Sequence, residues 1–391
     1  MARRVALISS SYHPYPGGVE EHTRNVAREL HDRGHAVQVW TVDRGEHLGE
    51  RTVDGIVVRH LPTPLPAASP RGVAHFTAAA LPAWAAWRRA QRDFHPDVLH
   101  VQCFGPNGAY AWALHRVTGV PLIVSAHGET FMDEDDVFTR SRLMRWSLRR
   151  AIRDAVVVTG CSQLVLDDLS TRFGLDRQGV VVPNGVDLQE ADRLGIGPFP
   201  RDPDRPATVF AVARAVRVKG LDLLIRAFAA AVLPPRTRLV IGGDGPELAG
   251  LTALADGLGI GAQVDFLGRR DRSQVIEAMA GADLIVVPSR IEAFGIVVLE
   301  AWRSGTALLA TSHGGPADLI TDGVDGILVD PEDREGFATT LSALLSDRAT
   351  LDRLGATGRR TVGAFTWTRT ADDYEAVYDT ARHKERDGRE A

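Results

Sequence analysis

Short runs of β-branched and aliphatic residues alternate with helix-length segments along the whole chain, and that alternation predicts parallel α/β layers. In the first half the runs fall near Val5–Ser9, Ala36–Thr41, Ile56–Arg59, Val98–Val101, Leu122–Ser125 and Ala155–Thr159. In the second half they fall near Thr208–Ala213, Leu239–Gly242, Val264–Leu267, Leu284–Val287, Ala307–Thr311 and Gly326–Val329. Between the halves, Gly195 to Pro206 mixes Pro, Gly and charge and cannot hold regular structure, so it reads as a linker. Each half predicts one Rossmann-like, doubly wound sheet. Such sheets bind ligands at the carboxyl ends of their strands, so two facing sheets would form a cleft. The expected domains are residues 1–195 and 205–365, with a helical segment over 366–391 crossing back to the first domain. The polar end of that segment, His383 to Ala391, is expected to fray.

Composition narrows the function classes. A chain of 391 residues can bury two cores, and 44% hydrophobic with 24% charged residues is ordinary for a globular protein. A net charge of -5 argues against nucleic acid as a partner. The two cysteines, Cys103 and Cys161, cannot build a disulfide scaffold and fit a reducing cytoplasm. The longest apolar stretch, Ala74 to Trp87, contains His75, Thr77 and Pro82 and predicts no transmembrane segment. Met1 to Arg4 before Val5–Ile8 mimics a signal peptide, but the apolar run is short and reads as the first strand. Of the 45 basic residues only Lys219 and Lys384 are lysine, so arginine alone carries little information and a lysine in mid-chain carries much.

Candidate chemistry gathers at predicted strand ends. Glu292 follows the strand Leu284–Val287 and Pro288-Ser289, and Glu300 comes after seven intervening residues, about two turns into a helix read from Phe294. The Phe294, Gly295, Ile296 and Val297 amides then form a helix N-terminus suited to an anion. Arg214 and Lys219 follow the first strand of the second half and could neutralise a diphosphate; Arg217 reads as solvated. Pro16-Gly17-Gly18 follows the first strand and precedes a helix read from Glu21, which suits either close approach to a phosphate or a tight turn. His127-Gly128-Glu129 follows a strand, and His127 suits a capping, core or catalytic role equally. Gly242 to Glu247 and Asn184-Gly185-Val186-Asp187 read as turns. Asp133, Asp135 and Asp136 read as a solvated loop rather than a metal site. The arginine-rich stretch from Arg140 to Arg153 reads as an amphipathic helix, which leaves room for peripheral membrane contact. No GxGxxG with a following acidic residue supports a dinucleotide cofactor.

Together, Gly17-Gly18, His127, Asn184 to Asp187, Arg214 with Lys219, and Pro288-Ser289 through Glu292 to Glu300 resemble the retaining glycosyltransferases of family 4, which have the GT-B fold. The resemblance covers nearly the whole chain. It implies a bacterial, cytoplasmic hexosyltransferase that uses a nucleoside-diphosphate sugar (UDP- or GDP-linked) as co-substrate and needs no cofactor or metal. Glu292 would bind the donor sugar with the Phe294 and Gly295 amides, Arg214 and Lys219 the leaving diphosphate, and Glu300 the ribose. Gly17 and Gly18 would close over the diphosphate and His127 would sit beside the sugar. Front-face attack implies no covalent nucleophile; a trapped glycosyl-enzyme adduct would refute it. The acceptor, a small molecule, glycan or lipid-linked group, would meet loops carrying Tyr15, Asn107 and Glu129. Gly128-Glu129 departs from the short hydroxyl residue common after the histidine in relatives acting on phosphorylated acceptors, and the first half lacks lysine. Both features favour a neutral or amino-bearing acceptor. The rival readings are a nucleotide-sugar epimerase on the same fold and a non-catalytic sugar-nucleotide binder, which need not keep charge aimed at a leaving group.

Overall fold

The computed structural model describes residues 2–15, 17–66, 70–132, 137–196 and 205–390, with 70–75 and 382–390 described by backbone alone. The chain forms two compact units: Met1–Asn184 with Trp367–Ala391, and Gly185–Thr366.

In the first unit the strands are β1 (Arg4–Ser9), β2 (Ala36–Val42), β3 (Glu50–Val53), β4 (Ile56–Leu61), β5 (Val98–Gln102), β6 (Leu122–Ala126), β7 (Val157–Gly160) and β8 (Val180–Val181). Their order is β3-β4-β2-β1-β5-β6-β7-β8, with β3 antiparallel to β4 and the remaining pairs parallel. The inner strands β5 and β6 are buried at every position, as a sheet covered on both faces requires. Val5, Leu7, Val39 and Ile123 share a core with Tyr374, Val377 and Tyr378 of the last helix, Trp367–Glu390.

In the second unit the strands are β9 (Thr208–Val212), β10 (Arg238–Gly242), β11 (Val264–Gly268), β12 (Leu284–Val287), β13 (Ala307–Thr311) and β14 (Ile327–Val329). They form an all-parallel sheet in the order β11-β10-β9-β12-β13-β14. Val209, Leu239, Leu284 and Leu309 pack with Leu224, Phe228, Phe337 and Leu341 from the covering helices.

Each sheet therefore has a switch point where strand order reverses, at β1/β5 and at β9/β12. Loops leaving those strand ends diverge and open a crevice. Gly17-Gly18 and Phe104 follow β1 and β5; Arg214–Lys219 and Glu292 follow β9 and β12.

The structure corrects several expectations. Strands β3 and β8 were not predicted: β3 is a four-residue edge of mostly exposed polar residues, and β8 is a two-residue edge. The strand expected at Ala155–Thr159 begins at Val157, because Ala155 ends the preceding helix. The helix expected from Glu21 begins at Gly18, and that expected from Phe294 begins at Ile296. The boundary expected at 195 falls at Asn184, because Glu190 and Asp187 are bonded to Arg272 and Arg303 of the second unit. Most of the expected linker, 197–204, lies outside the described residues, as do Pro16 and the acidic run 133–136.

Candidate active site

The apolar strand β12 ends at Pro288-Ser289, and the chain then turns into the helix Ile296–Ser304. Glu292 is fixed within that turn by its main chain: its amide donates to the His313 carbonyl at 3.1 Å and its carbonyl accepts from the Gly315 amide at 2.8 Å. Glu292 as a whole is only 8% exposed. Oε2 accepts from Lys219 Nζ at 2.7 Å and from the Ser289 hydroxyl at 3.0 Å. Gly295 caps the helix at φ +92, a conformation costly for other residues, and among the described residues no side-chain cap bond is made there. Ala293 and Phe294 are buried and hold the turn; Ile296 and Val297 are half-buried. Gly315 packs on this turn so closely that a Cβ there would lie 2.5 Å from Phe294 Cα.

Lys219 ends a 3₁₀ turn over Arg217–Lys219, followed by Gly220 in the left-handed region. Arg290 clamps that turn: its guanidinium grips Asp222 through two 2.8 Å bonds and donates to the Arg217 carbonyl at 2.7 Å. Burial alone would raise the Asp222 pKa, but the Arg290 bond and charge hold it below its ordinary value. Arg214 and Arg217 are exposed in the loop after β9. The loop after β10 buttresses them: a Cβ on Gly243, at φ +121, would stand 1.9 Å from the Ala213 carbonyl oxygen.

Glu300 lies one turn into the helix rather than two, because the helix starts at Ile296, and it is 7% exposed. Its Oε1 accepts from Arg272 Nη1 at 2.7 Å. Arg272 also forms a two-point bond with Glu190 at 2.7 and 2.8 Å, and buried Arg303 donates to the same Glu190. Sequence reading missed Arg272, Glu190, Arg303 and Arg290, and took Ser289 only as part of the motif leading to Glu292. Only Arg303, three residues after Glu300 on one helix, carried a local signal.

In the first unit, His127 follows β6, and its Nε2 meets Gln102 Oε1 at 2.8 Å. An amide oxygen can only accept, so Nε2 carries the proton and Nδ1 keeps its lone pair. The His22 ring lies 4.5 Å away, edge-on. His22 bonds Asn184 at 2.6 Å and Tyr374 at 3.1 Å; His100 bonds Tyr378 at 2.8 Å and Ser125 at 2.7 Å. Burial pushes His22 down to about 4 and His100 down to about 3, and lowers His127 well below its ordinary value, so all three are neutral near pH 7. Asn184, expected to be a turn residue, is thus part of a buried polar network with the last helix.

Gly17 is extended and exposed at the start of the helix Gly18–Asp32, whose first residue Gly18 is also exposed. Three residues expected to meet an acceptor are otherwise engaged. Tyr15 bonds Glu46 and stacks under Arg44 at 4.3 Å. Asn107 is fully buried, and its Nδ2 donates to the Ile8 and Cys103 carbonyls at 3.2 Å. Glu129 accepts the Phe104 and His127 amides at 2.7 Å, one on each oxygen, while burial raises its pKa. Asn107 and Glu129 tie the chain together because buried main-chain amides and carbonyls in β1 and after β5 and β6 need partners, whereas Tyr15 meets only side chains. Among the described residues no cluster of three or more His, Cys, Asp or Glu could hold a metal, and no helix is long and apolar enough to cross a membrane.

Comparison with known proteins agrees with the fold. Residues 16–190 match "Glycosyltransferase Family 4" and residues 198–361 match "Glycosyl transferases group 1". D-inositol 3-phosphate glycosyltransferase 1 of Catenulispora acidiphila is 32% identical, over 97% of this chain and 96% of the relative. The sucrose-phosphate synthase of Thermosynechococcus elongatus superposes with TM-score 0.78 at 21% identity, covering 98% of this chain and 100% of that one. HepE of Anabaena in complex with UDP-glucose superposes with TM-score 0.74 at 21% identity, covering 96% of this chain and 99% of that one. The chain belongs to the family 4 (group 1) glycosyltransferases and is a glycosyltransferase of the GT-B fold.

Proposed function

We propose that this glycosyltransferase moves a hexosyl unit from a UDP- or GDP-sugar to an acceptor hydroxyl, with retention and without a metal. The Lys219–Glu292 pair at an uncapped helix start is the observation that supports it most. Glu292 takes the hydroxyls of the sugar, and the ammonium it releases turns to the diphosphate. Lys219, Arg214 and the Phe294–Val297 amides stabilise the charge that grows on the leaving phosphate. Glu300 takes the ribose. Within the first unit taken by itself, Gly17-Gly18 suit close approach to a phosphate and the His127 Nδ1 lone pair suits a sugar hydroxyl. The attack is front-face, with the departing phosphate taking the acceptor proton, so no side chain becomes glycosylated. Two buried cysteines that form no disulfide support a cytoplasmic location.

For the acceptor, the sequence argument against a phosphorylated polyol rested partly on the charge of Glu129. That carboxylate is bonded to two main-chain amides, which answers that part of the objection and leaves the lack of lysine in the first half standing. The relatives' names then put an inositol phosphate first. Because these relatives are transferases, the epimerase and binding-protein readings are set aside.

Thermal unfolding against UDP, GDP, ADP and TDP tests the donor site: a nucleotide at a hundred times its Kd adds about 2.7 kcal/mol. A rise in Tm with one nucleotide, lost in Lys219→Ala, is expected, and the matching nucleotide sugar should then glycosylate inositol 3-phosphate. No shift with any nucleoside diphosphate would overturn the donor reading; donor turnover with neutral polyols only would overturn the acceptor.

A further inference from the structure

We propose that Arg272 is a positioning residue that sets how tightly the ribose is read, by holding the Glu300 carboxylate from behind; the inference rests on the donor-site reading above. Glu300 is 7% exposed, so an ionised carboxylate there needs a partner. Arg272 Nη1 supplies it at 2.7 Å on Oε1, and among the described residues no other side chain bonds that carboxylate. Oε2 therefore keeps its lone pairs for an incoming hydroxyl, in an orientation fixed by one bond rather than by rotamer preference alone.

Arg272 is itself held at both ends. It is the first residue of the helix Arg272–Gly281, which starts in a capping box between Asp271 and Gln274, so its backbone has little freedom. Its Nε and Nη2 form a forked pair with Glu190, the arrangement that restrains a guanidinium most. Glu190 in turn balances the buried Arg303, on the same helix as Glu300. The four groups carry two positive and two negative charges, so the cluster is neutral when Glu300 is ionised. Burial alone would raise the Glu190 pKa, but the two guanidiniums hold it below its ordinary value. A diol hydroxyl bonded to a carboxylate held this way meets a preorganised acceptor, with less ordering left to do on binding.

The test is calorimetric binding of UDP, GDP and ADP, each with its 2′-deoxy and 3′-deoxy forms, to the full chain and to Arg272→Met, Arg272→Lys and Glu190→Gln. For the nucleotide that binds, the natural chain should favour the ribose form by roughly tenfold or more, as a hydrogen bond to a charged group predicts. Arg272→Met should reduce that preference to about threefold or less, with Arg272→Lys and Glu190→Gln between. Folding is checked by the melt of each variant. If Arg272→Met binds more weakly but keeps the full ribose preference, Arg272 is merely structural and the inference is wrong. If the natural chain binds a nucleotide yet ignores the missing hydroxyls, the inference fails while the donor site stands. Binding of none of the nucleotides would remove both.

Discussion

At the scale of single residues, the half-buried Lys219 ammonium matters because it faces the carboxylate of a residue only 8% exposed. Replacing Lys219 by Ala removes a cation from the diphosphate position and also leaves Glu292 unpaired, so kcat/KM should drop by roughly a hundredfold to a thousandfold. Glu292→Gln keeps the shape and should lower kcat more than it raises KM, a split that steady-state kinetics resolves. The histidines give a pH dependence of stability. An unfolded His takes up a proton near 6.5, whereas His22 and His100 in the fold wait until about 4 and about 3. The unfolded state thus binds more protons in that interval, so stability is full above 6.5 and declines as the pH falls toward 4. Melts between about pH 7.5 and 5, above most carboxylate titrations, should show Tm falling with acid, and His100→Asn should flatten the slope. Residue roles were legible where the signal was local: a rare lysine past a strand, or two glutamates around a helix start. Arg272 and Glu190 stand 82 positions apart, and His22 and Asn184 stand 162 apart. Such pairs exist only after the chain has folded, and no spacing announces them.

At the scale of elements, the sheets could be read because their inner strands are buried on two faces and are mostly apolar runs. β3 escaped since Glu50-Arg51-Thr52-Val53 is a solvated edge whose only cue is the Asp54-Gly55 turn, with φ values of +51 and +79. Helix starts were misjudged by a turn or less, which was enough to place Glu300 one turn into its helix rather than two. The turn carrying Lys219 depends on Gly220 at φ +65, where a Cβ would fall 2.0 Å from the Pro288 carbonyl oxygen. That contact is with backbone, which cannot swing aside. Gly220→Ala should therefore cost about 3 kcal/mol or more and weaken donor binding as well, read by denaturant melts and by KM. Arg290→Ala should loosen the same turn through Asp222 and the Arg217 carbonyl, raising the donor KM several-fold with a smaller effect on kcat.

For the whole molecule, the decisive element is the last helix, which belongs to the unit that the chain left at Asn184. Tyr374 and Tyr378 are buried in its core and bonded to His22 and His100; Thr370 donates to the Pro183 carbonyl at 2.9 Å; and Arg33 grips Asp372 at 2.7 Å. Truncation after Thr366 should unfold the first unit and spare the second, so that limited proteolysis leaves a resistant fragment starting near Gly185. Covalent order and folding order therefore part company. On the ribosome the first unit emerges first but lacks its closing helix until the segment from Trp367 on is made, while the second is complete in sequence before that. Nascent chains stalled short of Trp367 should carry a finished second unit behind an unfinished first one, the earlier-made sheet waiting on the later-made helix.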